Sequence, residues 1–216
     1  AITLSVKCAL LSAAVNIPWG IFWGWFLARK NFKCKTLLQT LLYMPLFLPP
    51  VLTGYFLLVL FSRKGLLGGI LLDFFNLQFV LDWKGVVMAA AIVSSPFMIQ
   101  MVKQAMEQVD ARLEHVAYSL GASFSKTFFK VTLPLCYPGI IAGFFMVFVR
   151  SIGEFGATII FAGNVPGKTQ TIPLAIYHSV HLGHDVDLLP LVVATIVISY
   201  VGLGLSYLIM NTRPYK

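Results

Sequence analysis

The sequence predicts an all-α integral membrane protein with about five transmembrane helices, because of its composition and the length of its apolar stretches. Of its 216 residues, 58% are hydrophobic and 11% are charged, and the mean hydropathy is +0.85. Soluble domains contain about 25% charged residues, so a water-soluble protein is excluded. A bilayer crossing takes roughly 20 mostly apolar residues, so we expect one transmembrane domain over residues 1–216 and no large domain outside the membrane.

Five spans are predicted from the apolar stretches and the polar residues that bound them. They cover approximately residues 2–28, 37–61, 85–102, 138–162 and 188–210. The first is too long for a signal peptide, so we expect a retained helix, preceded by a few further residues because the sequence starts without Met. Pro45, Pro49 and Pro50 each remove a hydrogen bond from the second span, which should bend or unwind there.

The basic residues predict the orientation, because Lys and Arg are more frequent in cytoplasmic loops. Ten lie in the segments of one side: Arg29, Lys30, Lys33, Lys35, Lys103, Arg112, Lys126, Lys130, Arg213 and Lys216. Five lie on the other side: Lys7, Arg63, Lys64, Lys84 and Lys168. This places the N-terminus outside and the C-terminus in the cytoplasm. The net charge of +8 forms no single basic stripe, so no nucleic-acid partner is expected.

Small residues and tryptophans predict how the spans pack. Two GxxxG pairs, Gly20 with Gly24 and Gly139 with Gly143, allow helix backbones to approach closely in lipid. We interpret them as packing positions and not as evidence of a dimer. Three tryptophans near the cytoplasmic end of the first span are expected to anchor it at the lipid interface; they are Trp19, Trp23 and Trp25.

Three other features resemble chemical sites but have simpler interpretations. Cys8, Cys34 and Cys136 contain no CxxC pair and are expected to fill helix packing. The segment 163–169 has three residues between its glycines where a phosphate-binding loop requires four. A cluster on the outer side suggests a metal, although docking or solvation is the preferred interpretation; it contains His178, His181, His184, Asp185 and Asp187.

A polar segment between the third and fourth spans is the most informative part of the chain. Residues 110–130 predict two short helices joined at Gly121, with Leu113, Val116, Ala117 and Leu120 at helical spacing. Such an amphipathic helix could lie on lipid or dock into a partner's groove, and the pattern alone leaves both open. Ala117 and Gly121 would permit close approach, and Glu114 offers a hydrogen-bond acceptor.

This segment resembles the EAA loop of importer-type ABC permeases. The matching residues are Glu114, Ala117, Gly121, Leu133 and Pro134, whereas His115 and Val116 depart from the usual Glu-Ala-Ala. The resemblance implies a type I ABC importer permease fold, with a cytoplasmic coupling loop at about residues 107–134 that sits in a cleft of a separate ATPase. It also implies that this chain is not an enzyme and has no cofactor, since ATP and Mg²⁺ would act on that ATPase.

Three further segments are similar to the molybdate permeases of bacterial and archaeal cell membranes. They are Met44 to Tyr55, Arg150 to Thr158 (RSIGEFGAT) and Asn164 to Tyr177. That family implies import of molybdate, and often tungstate, by a homodimeric permease in membrane lipid, with an ATPase dimer inside and an extracytoplasmic oxyanion-binding protein. Sulfate and thiosulfate permeases, which tend to have Tyr-Gly at the position of Phe155-Gly156, remain an alternative.

Charges within the spans indicate a translocation path. Arg150 and Glu154 are spaced i and i+4 and can meet; at bilayer depth they should face protein or water. A salt bridge that holds the helix and a position beside the anion path both remain open. The expected path or gate residues are Pro49, Pro50, Gly54, Arg150, Ser151, Gly153, Glu154 and Gly156. An ATPase-independent channel or carrier and a non-transporting scaffold are the competing functions.

Overall fold

A computed structural model describes residues 1–183 and 188–211, and within those ranges the chain is helical and has no strand. The helices are α1 (Ile2–Arg29), α2 (Lys35–Phe47), α3 (Pro50–Phe61), α4 (Leu66–Phe75), α5 (Trp83–Gln108), α6 (Ala111–Ser119), α7 (Phe124–Thr127), α8 (Leu133–Ile152), α9 (Gly156–Phe161), α10 (Ile172–Leu182) and α11 (Leu188–Asn211). A π-helical turn, Phe128–Thr132, joins α7 to α8, so that residues 124–152 form one continuous helix.

The part of the chain that the structure describes has four helices long and apolar enough to cross a membrane, or five if a bent pair is one span. The four are α1, α5, the continuous helix 124–152 and α11. The bent pair is α2 and α3, whose axes differ by 106° across Leu48 and Pro49. The all-helical class is therefore confirmed, and four or five candidate spans agree with the prediction of about five. The second span breaks at Pro49 as expected, whereas Pro45 lies inside α2.

The fourth span differs from its predicted range of 138–162. The helix begins at Phe124, so Leu133 and Pro134 lie inside it and the second short helix expected after Gly121 is its first turn. It ends at Ile152, and α9 follows after a three-residue break. Gly153 favours such a break because glycine is a poor helix former. The third helix is longer than predicted, and α4 and α10 were not predicted.

Helix α5 is the centre of the bundle, with α1 and α8 packed against it. A Cβ on Gly24 of α1 would lie 2.7 Å from Val102 Cγ1, and one on Gly143 of α8 would lie 2.7 Å from Met98 Sδ. Both GxxxG pairs thus pack within one chain, as expected. In the most apolar 18-residue window of each helix, 67% of α5 is buried but only 6% of α11. Helix α11 is therefore largely open to lipid or to another subunit, as is α2, which has no buried residue.

Polar side chains of α1 reinforce this packing. Ser12 Oγ donates to the carbonyl of Val87 at 2.9 Å, and Asn16 Nδ2 donates to that of Ala91 at 3.0 Å. Interhelical hydrogen bonds of this kind hold helices together where water is absent. The register between α1 and α5 is therefore set by hydrogen bonds as well as by shape.

Two expectations about single residue types are corrected. Cys8 and Cys136 are buried as expected, but Cys34 is exposed at the start of α2 and fills no packing. Trp25 does more than anchor α1, since its ring contacts Phe124 and Phe128, with centroids 5.3 and 6.1 Å away. The first turns of the helix 124–152 are therefore attached to the end of α1.

Two other segments were considered as ligand sites from the sequence, the loop 163–169 and the cluster of histidines and aspartates. In the segment 163–169, Thr169 Oγ1 donates to the carbonyl of Gly163 and accepts from the amide of Val165, which closes the loop on itself. His178 and His181 lie on the exposed end of α10, whereas His184, Asp185 and Asp187 lie outside the described residues. Within the described ranges, no group of three metal-ligating side chains is present.

Candidate functional site

Helix α6 has a defined start and end. Asp110 Oδ1 accepts from the amide of Arg112 at 2.9 Å, which caps the first turn. Gly121, with a φ of +81°, follows the helix and lets the amide of Ala122 bond the carbonyl of Ala117. A Cβ on Gly121 would meet no atom of this chain within 4 Å. Within the chain Gly121 is therefore required by its backbone conformation rather than by close approach.

One edge of α6 is bound to the bundle through Glu114. Its Oε1 accepts from Arg29 Nε at 3.2 Å, from Arg29 Nη2 at 2.9 Å and from Thr132 Oγ1 at 2.9 Å. Arg29 Nη2 also donates to the carbonyl of Val109 at 3.1 Å. The side chains of Arg29 and Glu114 are 18% and 15% exposed. We call these four residues the Arg29 junction; it joins α6 to the ends of α1 and α5 and to the start of α8.

The opposite edge of α6 is apolar and exposed. Leu113, Val116 and Leu120 are 48%, 57% and 83% exposed, and they lie along one side of the helix. Ala117 is half-buried between this stripe and the junction, and Leu133 packs into the core beside α5, whereas Pro134 is exposed. Of the predicted coupling residues, Glu114 and Leu133 are therefore held by the bundle, whereas Gly121 and Pro134 are exposed.

At another point of the bundle, the break between α2 and α3 lies close to the break between α8 and α9. A Cβ on Gly156, the first residue of α9, would lie 2.9 Å from Pro50 Cβ. A Cβ on Gly54 of α3 would lie 2.6 Å from the carbonyl oxygen of Ala157 and 2.8 Å from its Cα. Both glycines are buried, so α3 and α9 are in backbone contact. We call this contact the α3–α9 crossing.

Arg150 and Glu154 lie beside this crossing and form an ion pair. Arg150 Nη1 is 2.9 Å from Glu154 Oε2, and Glu154 Oε1 accepts from the amide of Ala157 at 2.9 Å. The carboxylate thus also binds the first turn of α9, where backbone N–H groups have no partner within the helix. The Glu154 side chain is 2% exposed and that of Arg150 is 30% exposed. The salt bridge that their spacing allows is present, and the side chain of Arg150 stays partly exposed.

The other predicted path residues occupy the same region. Ser151 Oγ lies 3.3 Å from Ser94 Oγ of α5. Gly153 is exposed in the break after α8, and Pro49 is exposed in the break before α3. The structure therefore brings the predicted path residues together at two helix breaks, about one helix length from the Arg29 junction.

Sequence reasoning missed Arg29 and Thr132. Arg29 was counted only as an orientation signal, and it is 85 positions from Glu114. Thr132 is 18 positions from Glu114 and 2% exposed. No local spacing could connect these residues. The one available signal was that a carboxylate on a helix edge facing the protein requires a partner.

A packed bundle of long apolar helices, with one bent helix pair and an exposed amphipathic helix, defines a polytopic membrane protein. The sequence matches the family described as binding-protein-dependent transport system inner membrane component over residues 17–213, and the chain belongs to that family. It is therefore a multi-pass membrane protein.

Individual relatives are similar over most of the chain. The molybdenum transport system permease protein ModB of Escherichia coli K12 is 48% identical over 177 residues, covering 82% of this chain and 77% of the relative. ModB of Haemophilus influenzae is 44% identical and covers 95% and 90%. The sulfate transport system permease protein CysT of Salmonella typhimurium is 36% identical and covers 81% and 62%.

Solved structures support the fold. A bacterial alginate ABC transporter in complex with an alginate pentasaccharide-bound periplasmic protein matches with a TM-score of 0.71 at 18% identity, covering 97% of this chain and 75% of that one. The methionine ABC transporter MetNI in inward-facing conformations matches with a TM-score of 0.69 at 16% identity, covering 97% and 94%. The chain has the ABC importer permease fold.

Proposed function

We propose that this chain is the membrane-spanning permease of an ATP-driven importer for molybdate and the chemically similar tungstate. The single observation that carries the proposal is its 48% identity to a molybdenum permease, compared with 36% to a sulfate permease. The sulfate or thiosulfate permease is the second candidate, favoured only by that weaker similarity.

The path is proposed to lie between two copies of the chain. Five spans are too few to enclose a gated path, whereas two copies around a two-fold axis can do so. Exposed apolar residues on α3, among them Val51, Tyr55 and Val59 at 50%, 54% and 50% exposure, are compatible with a second subunit. The partly exposed side chain of Arg150 would then meet the dianion briefly, and weak binding there would allow release.

Energy is proposed to enter at α6 from a separate ATPase dimer, which binds ATP and Mg²⁺. The exposed stripe of Leu113, Val116 and Leu120 supports docking into a groove. The excess of basic residues supports a cytoplasmic location for α6 and the C-terminus, with the N-terminus outside. Closure of the ATPases would then switch the path by alternating access, and an extracytoplasmic oxyanion-binding protein would deliver the anion.

The test is reconstitution of the chain with its ATPase and its binding protein in liposomes. We expect molybdate-stimulated ATP hydrolysis and ATP-dependent molybdate uptake, with competition by tungstate and weak competition by sulfate. ATP hydrolysis stimulated by sulfate and not by molybdate, with ATP-dependent uptake of sulfate, would identify the second candidate. Anion flux through the chain without the ATPase would indicate a channel or carrier instead.

A further inference from the structure

Arg29 occupies a position that neither its charge nor its place at the end of α1 requires. A cytoplasmic basic residue that sets orientation needs only to reach the lipid headgroups. Arg29 instead turns inward, is 18% exposed and makes three hydrogen bonds, two to Glu114 and one to the carbonyl of Val109. The side chain of the neighbouring Lys30 lies instead over the face of Trp25, with its Nζ 5.6 Å from the ring centroid.

The junction that Arg29 forms connects α6 to all three helices of the packed bundle. Arg29 is the last residue of α1, Val109 directly follows α5, and Thr132 directly precedes α8. Glu114 is the member that belongs to α6. Charge-assisted hydrogen bonds are about twice as strong as neutral ones, and partial burial strengthens them further. A displacement of α6 therefore pulls on α1, α5 and α8 together.

Helix α8 leads from this junction to the second ion pair. It has 20 residues, a length of about 30 Å, and Arg150 lies in its last turn. The junction is thus at one end of the helix and the α3–α9 crossing at the other. A rigid helix with defined contacts at both ends is a physical route by which a force applied at α6 reaches the α3–α9 crossing.

We infer that Arg29 is the positioning residue that transmits movement of α6 to the membrane-spanning bundle, an inference that rests on the proposed function. Arg29 does not contact the anion or ATP. It holds Glu114, and through Glu114 it ties α6 to the ends of the bundle helices without contacting the apolar stripe. Loss of the Arg29 contacts leaves that stripe intact, so the ATPase still docks and hydrolyses ATP but moves α6 without moving the bundle.

The experiment uses the full complex in liposomes and measures the anion transported per ATP hydrolysed, together with the amount of ATPase that co-purifies. For Arg29→Gln we expect normal co-purification, retained hydrolysis and a transport-to-hydrolysis ratio lowered about fivefold or more. Arg29→Lys, which keeps the charge but not the planar set of donors, should also lower the ratio. The double variant Arg29→Glu with Glu114→Arg should recover much of it, and Lys30→Gln, the matched control, should leave it unchanged.

The outcomes separate the inference from the proposed function. If the unaltered complex shows no ATP-dependent anion uptake, the proposed function fails. If it does and the ratio is unchanged in Arg29→Gln and Arg29→Lys, only the inference fails. A lower melting temperature with transport and hydrolysis reduced in equal proportion would assign Arg29 a purely structural role and would also overturn the inference. If Arg29→Gln does not accumulate in the membrane, Arg29→Lys decides.

Discussion

Two arginine–glutamate ion pairs in this protein have the same N–O distance, 2.9 Å, but differ in how far apart their residues lie in the sequence. Arg150 and Glu154 are four positions apart at the end of one helix, with the carboxylate 2% exposed. Arg29 and Glu114 are 85 positions apart on two helices, and both are slightly exposed. The local pair stabilises a break in a span, whereas the distant pair ties an exposed helix to the bundle.

The difference shows how one interaction serves two purposes. At the α3–α9 crossing the carboxylate also binds the amide of Ala157, so the pair defines the shape of the chain where the helix stops. At the Arg29 junction the carboxylate joins separate elements through Arg29 and Thr132, so the pair ties α6 to the bundle. The first should therefore dominate stability and the second should dominate coupling.

Glu154→Gln should have the largest effect on stability. The change removes the charge that balances Arg150 in a buried site, and breaking a buried pair costs about 3 kcal/mol. Thermal unfolding of the purified protein in detergent measures this loss. Glu107→Gln is the matched control, since Lys103 and Glu107 have the same i, i+4 spacing but Glu107 is 47% exposed and the ion pair is 3.6 Å long; its cost should be below about 0.5 kcal/mol. Equal losses would contradict the role assigned to burial.

Gly54→Ala should have the next largest effect, because its methyl group would collide with the backbone of Ala157 at the crossing. Overpacking of this kind costs about 1–3 kcal/mol, and α3 and α9 would have to separate. The melting temperature and anion uptake should both fall. Gly204→Ala in α11 is the control, since a Cβ there meets nothing within 4 Å. A neutral Gly54→Ala would show that the two breaks are not in tight contact.

Thr132→Val should have a smaller effect and tests the Arg29 junction. The valine keeps the shape but removes the hydrogen bond to Glu114, at a cost of about 1 kcal/mol. Thr127→Val is the comparison, because the hydroxyl of Thr127 is buried and has no partner among the residues that the structure describes. That change should be neutral or stabilising. The two variants are compared by chemical or thermal unfolding, and a reversed order would mean that Thr132 does not support Glu114.

Leu120→Asp should have the smallest effect on stability and the most selective effect on assembly. Leu120 is 83% exposed, so the free energy of unfolding should change by less than about 0.5 kcal/mol. A charge in the apolar stripe should nevertheless reduce co-purification of the ATPase. His115→Asp, on the polar side of α6, should leave it unchanged. Equal co-purification of both variants would indicate that the stripe lies on lipid instead.

The span pattern was predictable because the bilayer requires long apolar stretches, and α1 and α11 match their predicted ranges to within one residue. The prolines correctly predicted the break between α2 and α3. The fourth span was misplaced because Leu133, Pro134 and Pro138 resemble a loop and a helix start, yet the helix passes through them. Its end at Ile152 depends on Gly153 and on the contact that Glu154 makes with α9. The periodicity of apolar residues in the sequence predicts neither feature.

The amino-acid sequence by itself determined the membrane class, the number of spans, the amphipathic character of α6 and the Arg150–Glu154 pair, because hydropathy and helical spacing act over a few neighbouring residues. Only the tertiary structure decided that Glu114 faces Arg29 and Thr132, that Gly54 meets Ala157, and that both GxxxG pairs pack on α5. These contacts join residues 18 to 103 positions apart in the chain, and their partners are selected by how whole helices pack against one another.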